Sequence, residues 1–384
     1  MRRLRPGHLR SGGRRRYRFR SGGVLRGVAV LFALAVLFLA VRTGFGIGGE
    51  RGLRNQRGPT RAAVRPSRRA QGRAGRLSAA GTRRMTVRVS ALPSLPVPLS
   101  GLTLAYAHGA LWVVGGLVDG QTSTDGIWRL LWPGGRNWQR VGSLPVARHD
   151  AALCPEPTGL WLVGGGLGTV SASEVWHLGW PRTGTAAMQV TVGPPLPVAR
   201  SDLSCVPEGP GGSQGVIVAG GYDGLTYQAP VLRLGPGSQS WQRVADLPVP
   251  VRYAGMTLVG RDLIVFGGLS PSGPTRAIWQ VPLNGARPRE IGRFPQAIQH
   301  VQAAGSDPPA VLGGETATGG FVPGFWRVRI PGRAGGEARV VRVLSSPSGR
   351  GYGAMTAVPG GWVYAGGVNE GGAIAQVLWV HVVP

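Results

Sequence analysis

The chain has 384 residues with 43 Arg, no Lys, 16 acidic residues, 66 Gly and 32 Pro, for a net charge of +27. Residues 1–84 carry +21 of that charge and residues 85–384 only +6, so the total does not make the bulk of the chain a nucleic-acid binder. A GC-rich genome accounts for the Arg, Gly and Pro bias, and the 300 residues after the tail are ample for a large core.

Residues 1–23 contain nine arginines and no acid, a basic tail that cannot build a core. Residues 24–42 are apolar apart from Arg26 and the closing Arg42, and are predicted to be a transmembrane signal anchor. A cleaved secretory signal is the competing reading, although Arg42-Thr43 after Ala40-Val41 is a poor cleavage site; a buried helix is the third. Arg10, Arg14, Arg15, Arg16, Arg18, Arg20 and Arg26 precede the segment and Arg42, Arg51, Arg54, Arg57 and Arg61 follow it, an asymmetry that points to a cytoplasmic tail and an extracytoplasmic remainder. Residues 43–84, with Glu50 as their one acid and no apolar period, read as a disordered linker that is solvated or lies on a polyanionic surface.

From residue 85 onward the sequence repeats. Apolar runs ending in Gly-Gly recur at 111–116, 160–165, 216–221, 263–268, 309–314 and 362–367, with 46 to 56 residues between successive glycine pairs. Trp128, Trp176, Leu232, Trp279, Trp326 and Trp379 follow the first glycine of each pair by 12 or 13 residues, in short alternating strands. A further strand then runs to a Leu-Pro or Phe-Pro, as at Pro145, Pro197, Pro248 and Pro295. Six units of four strands predict an all-β, six-bladed propeller over residues 85–384. The last unit stops after its tryptophan strand, so residues 85–90 are expected to pair antiparallel with 376–382 and close the ring, which otherwise has two open edges.

Cys154 and Cys205 fall in the first strands of successive units. Counted from Asp150 and Asp202 they have opposite parity, hence opposite sheet faces. They either face one another across a blade junction, as a disulfide would require, or are two buried, unconnected thiols.

The Gly-Gly pairs, the tryptophans after them, and Leu144-Pro145-Val146-Ala147-Arg148 with its copy Leu196-Pro197-Val198-Ala199-Arg200 resemble kelch repeats. The resemblance covers about residues 85–384. It departs from many kelch units in lacking the Tyr that opens their third-to-fourth-strand turn. Kelch propellers include peptide-binding and adhesion modules, a copper oxidase and sugar epimerases, so the resemblance implies a fold and leaves the function open. Copper chemistry as in galactose oxidase is not expected. His149-Asp150 and Cys154-Pro155 are similar to the surroundings of that enzyme's crosslinked cysteine, but Asp202 stands where its tyrosine would be. His108, His149, His177, His300 and His381 are scattered over different units, and no metal or cofactor is predicted.

Four arginines recur at the entry to a first strand, Arg148, Arg200, Arg252 and Arg350, with Gln299 and Ser100 in the other two units. Such loops gather at one mouth of a propeller. The four are therefore the candidate ligand-binding residues, for a protein, peptide or glycan partner with anionic character. The alternative is that they cap blade carbonyls or pair with Asp150 and Asp202. Taken together, the expectation is a membrane-anchored extracytoplasmic binding module, with a carbohydrate enzyme of the sugar epimerase or mutarotase kind as the alternative. The enzyme needs a buried acid at the axis, for which Glu156, Glu174, Glu315 and Glu370 are candidates.

Overall fold

The computed structural model describes residues 86–181, 187–305, 308–332, 335–344 and 349–383. The proposed tail, signal anchor and linker lie outside these residues. Among the described residues no helix is long and apolar enough to cross a membrane.

The described chain is a six-bladed, all-antiparallel β-propeller. Blade 2 shows the plan: Ala152–Glu156 lies at the axis, followed outward by Gly159–Val163, Val175–Gly179 and Gln189–Val192. Apolar residues face both neighbours, because each sheet is covered on both faces. The side chains accordingly sort into six buried clusters, each filled from two adjacent blades, and the cluster between blades 6 and 1 closes the circle. Most of the repeated tryptophans are rim-side members of these clusters: Trp128, Trp176 and Trp326 are each less than 8% exposed.

Blade 6 takes its outer strand from the N-terminal side. Thr86–Leu92 pairs antiparallel with Val377–Val383, from Thr86 opposite Val383 to Leu92 opposite Val377. The first and last strands of the described chain thus complete one blade between them.

The Gly-Gly pairs serve the junctions between blades. The N–H of each second glycine donates to a carbonyl at the entry of the next blade: Gly116 to Arg148, Gly165 to Arg200, Gly221 to Val251, Gly268 to Ile298, Gly314 to Arg350 and Gly367 to Leu99. The first glycine of each pair has φ near +60°, and a Cβ at Gly115 would collide with the Arg148 carbonyl oxygen. Sequence spacing alone reveals the repeat; the close backbone approach explains why both positions must be glycine.

Candidate functional site

Those six carbonyls give a register in which Leu99, Arg148, Arg200, Val251, Ile298 and Arg350 are equivalent. Arg252 is one residue further on, at the position of Ser100, His149, Ser201, Gln299 and Gly351. The four arginines expected at one mouth therefore fall at two different positions of the register. Arg148, Arg200 and Arg350 are 3%, 1% and 5% exposed and lie between blades. Arg148 donates to its neighbour Ala147 O, pairs with Glu174 at 3.3 Å and stacks over Trp176. Arg200 donates to the carbonyls of Gly220 and Pro230 at 3.2 and 2.9 Å. Arg350 donates to Gln376 Oε1 at 2.7 Å and lies near the Tyr364 ring. All three secure a blade to its neighbour or to its own outer strands. Among the described residues no ion pair joins Arg148 to Asp150 or Arg200 to Asp202.

Arg252 is different. One residue out of step, it reaches the mouth with its side chain 24% exposed and donates to Asp202 Oδ2 at 3.2 Å. Tyr222, Tyr227 and Tyr253 surround its guanidinium, with ring centroids 4.8, 5.3 and 4.8 Å away. Its Nε has no hydrogen-bond partner among the described residues.

The next position in the register faces the axis: Gly101, Asp150, Asp202, Tyr253, His300 and Tyr352. All six have φ between +47° and +59°, a left-handed conformation that glycine adopts freely, aspartate and histidine less often, and tyrosine rarely. A chain of backbone hydrogen bonds holds them there. Asp150 N–H donates to Gly101 O, Asp202 to Asp150 O, Tyr253 to Asp202 O, and Gly101 to Tyr352 O, at 2.7 to 3.0 Å. Five polar side chains thereby converge on a cavity of about 140 Å³ around the axis. Gly101, the one position without a side chain, leaves the space that the Asp150 carboxylate fills, since a Cβ there would lie 2.8 Å from Asp150 Oδ1.

Electrostatics divide this ring in two. Burial, reinforced by the charge of Asp202, pushes the Asp150 carboxyl up to about 8, while Arg252 pulls in the opposite direction. Burial also raises Asp202, to about 6, against the pull of Arg252 and of a hydrogen bond from Tyr253. Burial thus favours the proton on Asp150, while Arg252 favours the negative charge on Asp202. On the other side His300 is sandwiched between Tyr253 and Tyr352, at centroid distances of 3.8 and 3.6 Å. Burial keeps the His300 imidazole below its usual range. Glu315 accepts from Gln299 Nε2 and the Tyr352 hydroxyl at 3.1 and 3.2 Å, and its contact with His300 lowers its own pKa. Of the four glutamates proposed as axial acids, Glu315 is the one that touches this ring. Glu174 is tied to Arg148, Glu156 bonds His177 beside a second cavity at the other end of the axis, and Glu370 is exposed.

The two cavities meet at a waist made by one residue from each first strand: Leu104, Leu153, Cys205, Met256, Ala303 and Met355. Cys205 is joined there to Cys154 by a disulfide, so the reading of two unconnected thiols is set aside. The second cavity, about 680 Å³, is lined mainly by apolar and aromatic residues such as Tyr106, His108 and Trp180.

Asp150, Asp202, Tyr253, His300 and Tyr352 are not among the site residues that the sequence suggests. Asp150 and Asp202 are visible in the aligned Arg148-His149-Asp150 and Arg200-Ser201-Asp202, but the other three share no residue type with them. Only the position in the ring relates the five.

The fold and site define a six-bladed β-propeller with a titratable axial funnel. No protein-family model and no curated protein sequence matches the chain. Among solved structures it is similar to one titled "Structure of YjhT", with a TM-score of 0.62 and 15% identity over 76% of this chain and 99% of that one, a likeness of fold.

Proposed function

We propose that the propeller binds a small hydroxyl-rich ligand, a free sugar or the terminal unit of a glycan, in the axial funnel. The observation that carries this reading is the convergence of Asp150, Asp202, Tyr253, His300 and Tyr352 on one cavity, with Arg252 at its edge. These groups offer both donors and acceptors, and tyrosine and imidazole faces suit the apolar face of a sugar ring. A cavity of about 150 Å³ accepts one benzene-sized ring, so the 140 Å³ here takes up part of a sugar ring, with its remaining hydroxyls directed out of the mouth past Arg252. Burial of three of the four arginines argues against an extended acidic peptide as the ligand. The repeat is of the kelch type on this reading. The domain stands outside the cytoplasm behind a membrane anchor, and a disulfide suits such an oxidising compartment.

A second reading, that the bound ligand undergoes proton transfer as in sugar epimerases or mutarotases, is favoured by the dyad itself. A neutral Asp150 next to an ionised Asp202 supplies a general acid and a general base within one cavity. In such a step Asp202 Oδ takes a proton from the ligand while Asp150 Oδ gives one, and the dyad ends with the same total of one proton.

Titration calorimetry with neutral hexoses, N-acetylhexosamines and hexuronic acids tests the binding reading. At least one class is expected to bind, with affinity falling about tenfold or more in Arg252→Ala and Tyr352→Phe. Absence of binding across the panel, or binding indifferent to both substitutions, contradicts it. Incubating the bound sugar in deuterated water and following exchange at carbon or anomeric interconversion by NMR separates the enzyme from the binder.

A further inference from the structure

The six blade junctions are not alike at the axis. Pairing each axial residue with its neighbour gives Gly101/Asp150, Asp150/Asp202, Asp202/Tyr253, Tyr253/His300, His300/Tyr352 and Tyr352/Gly101. The junction between blades 2 and 3 is the one whose two axial residues are both acids, with Asp202 N–H donating to Asp150 O at 2.8 Å. It is also the one that carries a disulfide, Cys154–Cys205, with Cα atoms 5.8 Å apart. The matching positions of the other junctions hold no cysteine: Ala105/Leu153, Val206/Met256, Thr257/Ala303, Ala304/Met355 and Thr356/Leu104.

The disulfide acts on the same two strands that hold the acids. Cys154 is four residues after Asp150 and Cys205 three after Asp202, so the covalent link lies within about 10–13 Å of chain from each carboxylate. Between them the strands are stiff. Cys154 is fully buried in the cluster between blades 2 and 3, with Leu196, Leu203 and Val218, and Asp202 N–H donates to Asp150 O at 2.8 Å. One backbone hydrogen bond and one covalent bond therefore bracket the dyad. When Asp150 ionises as well, the two carboxylates repel across this junction, which the Gly165 N–H to Arg200 O and Asp202 N–H to Asp150 O hydrogen bonds also span. The disulfide adds a covalent link to those two hydrogen bonds.

We propose that the Cys154–Cys205 disulfide is a positioning clamp that fixes the separation of Asp150 and Asp202 across the junction of blades 2 and 3. Its purpose rests on the funnel's being the ligand site, but its existence does not, and the two can fail separately. The groups facing the dyad are Arg252, Tyr253 and His149, with Tyr352 and His300 across the cavity. None of them is on the disulfide-bearing segments between the acids and the cysteines. Cys205 lines the waist and is half-buried, so a small reductant entering through the wide cavity reaches it.

The test is a carboxyl carbon NMR titration of the propeller, oxidised and after reduction with a phosphine, repeated in Cys154→Ala/Cys205→Ala. The oxidised protein is expected to show two well-separated steps for the dyad. Opening the clamp is expected to bring the upper step down by about one pH unit, the effect of moving two like charges some 2–3 Å apart at an effective dielectric constant near 20. In Asp202→Asn, where there is no second charge to hold, reduction is expected to leave the Asp150 step nearly unmoved. A disulfide that merely adds stability gives the opposite pattern: both steps unchanged on reduction while the melting temperature falls, and that result overturns the proposal. Equal movement of the Asp150 step with and without Asp202 overturns it as well. Should the double alanine variant fail to fold, the reduced wild type and reduced Asp202→Asn carry the comparison alone. A dyad that responds as described in a protein that binds none of the sugar panel keeps the clamp and removes the ligand reading.

Discussion

Replacing Asp150 by Asn should stabilise the propeller, and by an amount that depends on pH. In the folded protein the carboxyl is raised to about 8 from an ordinary 3.8, by burial first and by Asp202 second. The folded state thus keeps a proton that the unfolded chain releases above about pH 4. Stability is therefore greatest at or below that pH, and is lost as the pH rises toward 8. At 1.36 kcal/mol per pH unit, the loss accumulated at pH 7 has a ceiling of about 4 kcal/mol, and water entering the funnel reduces it to a working figure of about 2 kcal/mol. For a propeller of about 300 residues that corresponds to roughly 3 °C in melting temperature. The substituted amide cannot ionise and has nearly the same shape as the carboxyl. Thermal unfolding followed by circular dichroism should show Asp150→Asn and wild type melting together near pH 4.5 and the variant melting about 3 °C higher at pH 8. A difference that is the same at both pH values, or a variant less stable at pH 8, refutes the assignment of Asp150 as the buried protonated member. The same variant should lose proton-transfer activity if the enzyme reading holds, the usual conflict between a stable fold and a strained site.

Arg200→Ala removes the donor from the Gly220 and Pro230 carbonyls and opens a cavity between blades, at a cost of about 3 kcal/mol, or roughly 5 °C by calorimetry, and ligand affinity should change little in the protein that remains folded. Arg252→Ala should cause a large loss of binding and also lower the melting temperature by about 5 °C at neutral pH, because it leaves the buried Asp202 carboxylate without its cation; the stability loss should shrink as the pH falls and Asp202 takes up a proton. Gly101→Ala places a methyl against Asp150 Oδ1 in a left-handed conformation; binding should fall, and crystallography should find the Asp150 carboxylate displaced. Removal of residues 1–91 takes away nearly all of the strand paired with Val377–Val383 and should yield aggregated protein by size-exclusion chromatography, whereas removal of 1–84 should leave a soluble monomer.

The fold was legible in the sequence because its determinants are local and repeated. Gly-Gly marks the backbone contact between blades, the tryptophans mark the packed rim, and the missing outer strand of the last unit left Thr86–Leu92 with one place to go. The site was much less legible. Arg148, Arg200 and Arg350 repeat because they do structural work at equivalent junctions, and repetition in a propeller is the mark of the scaffold. What varies around the axis carries the chemistry, and variation has no pattern to find: aspartate, aspartate, tyrosine, histidine and tyrosine occupy one position in five successive blades. Arg252 resembles a fourth copy of the arginine because Pro248 lies four residues before it, where a proline lies three before each of the others. Its slip by one residue, with Val251 taking the junction, is visible only once the Gly221 N–H is seen to bond Val251 O. The disulfide was half legible, since parity allowed it and only the 5.8 Å between the two Cα atoms decides it.

The sharpest single measurement is a crystal structure of residues 85–384 soaked with whichever sugar class binds by calorimetry. A funnel that is the ligand site should show one sugar ring over Tyr253 and Tyr352, with its hydroxyls within hydrogen-bond distance of Asp150, Asp202 or Arg252. A sugar found instead in the wide cavity beside His108 and Trp180, with the funnel holding water alone, would contradict that assignment.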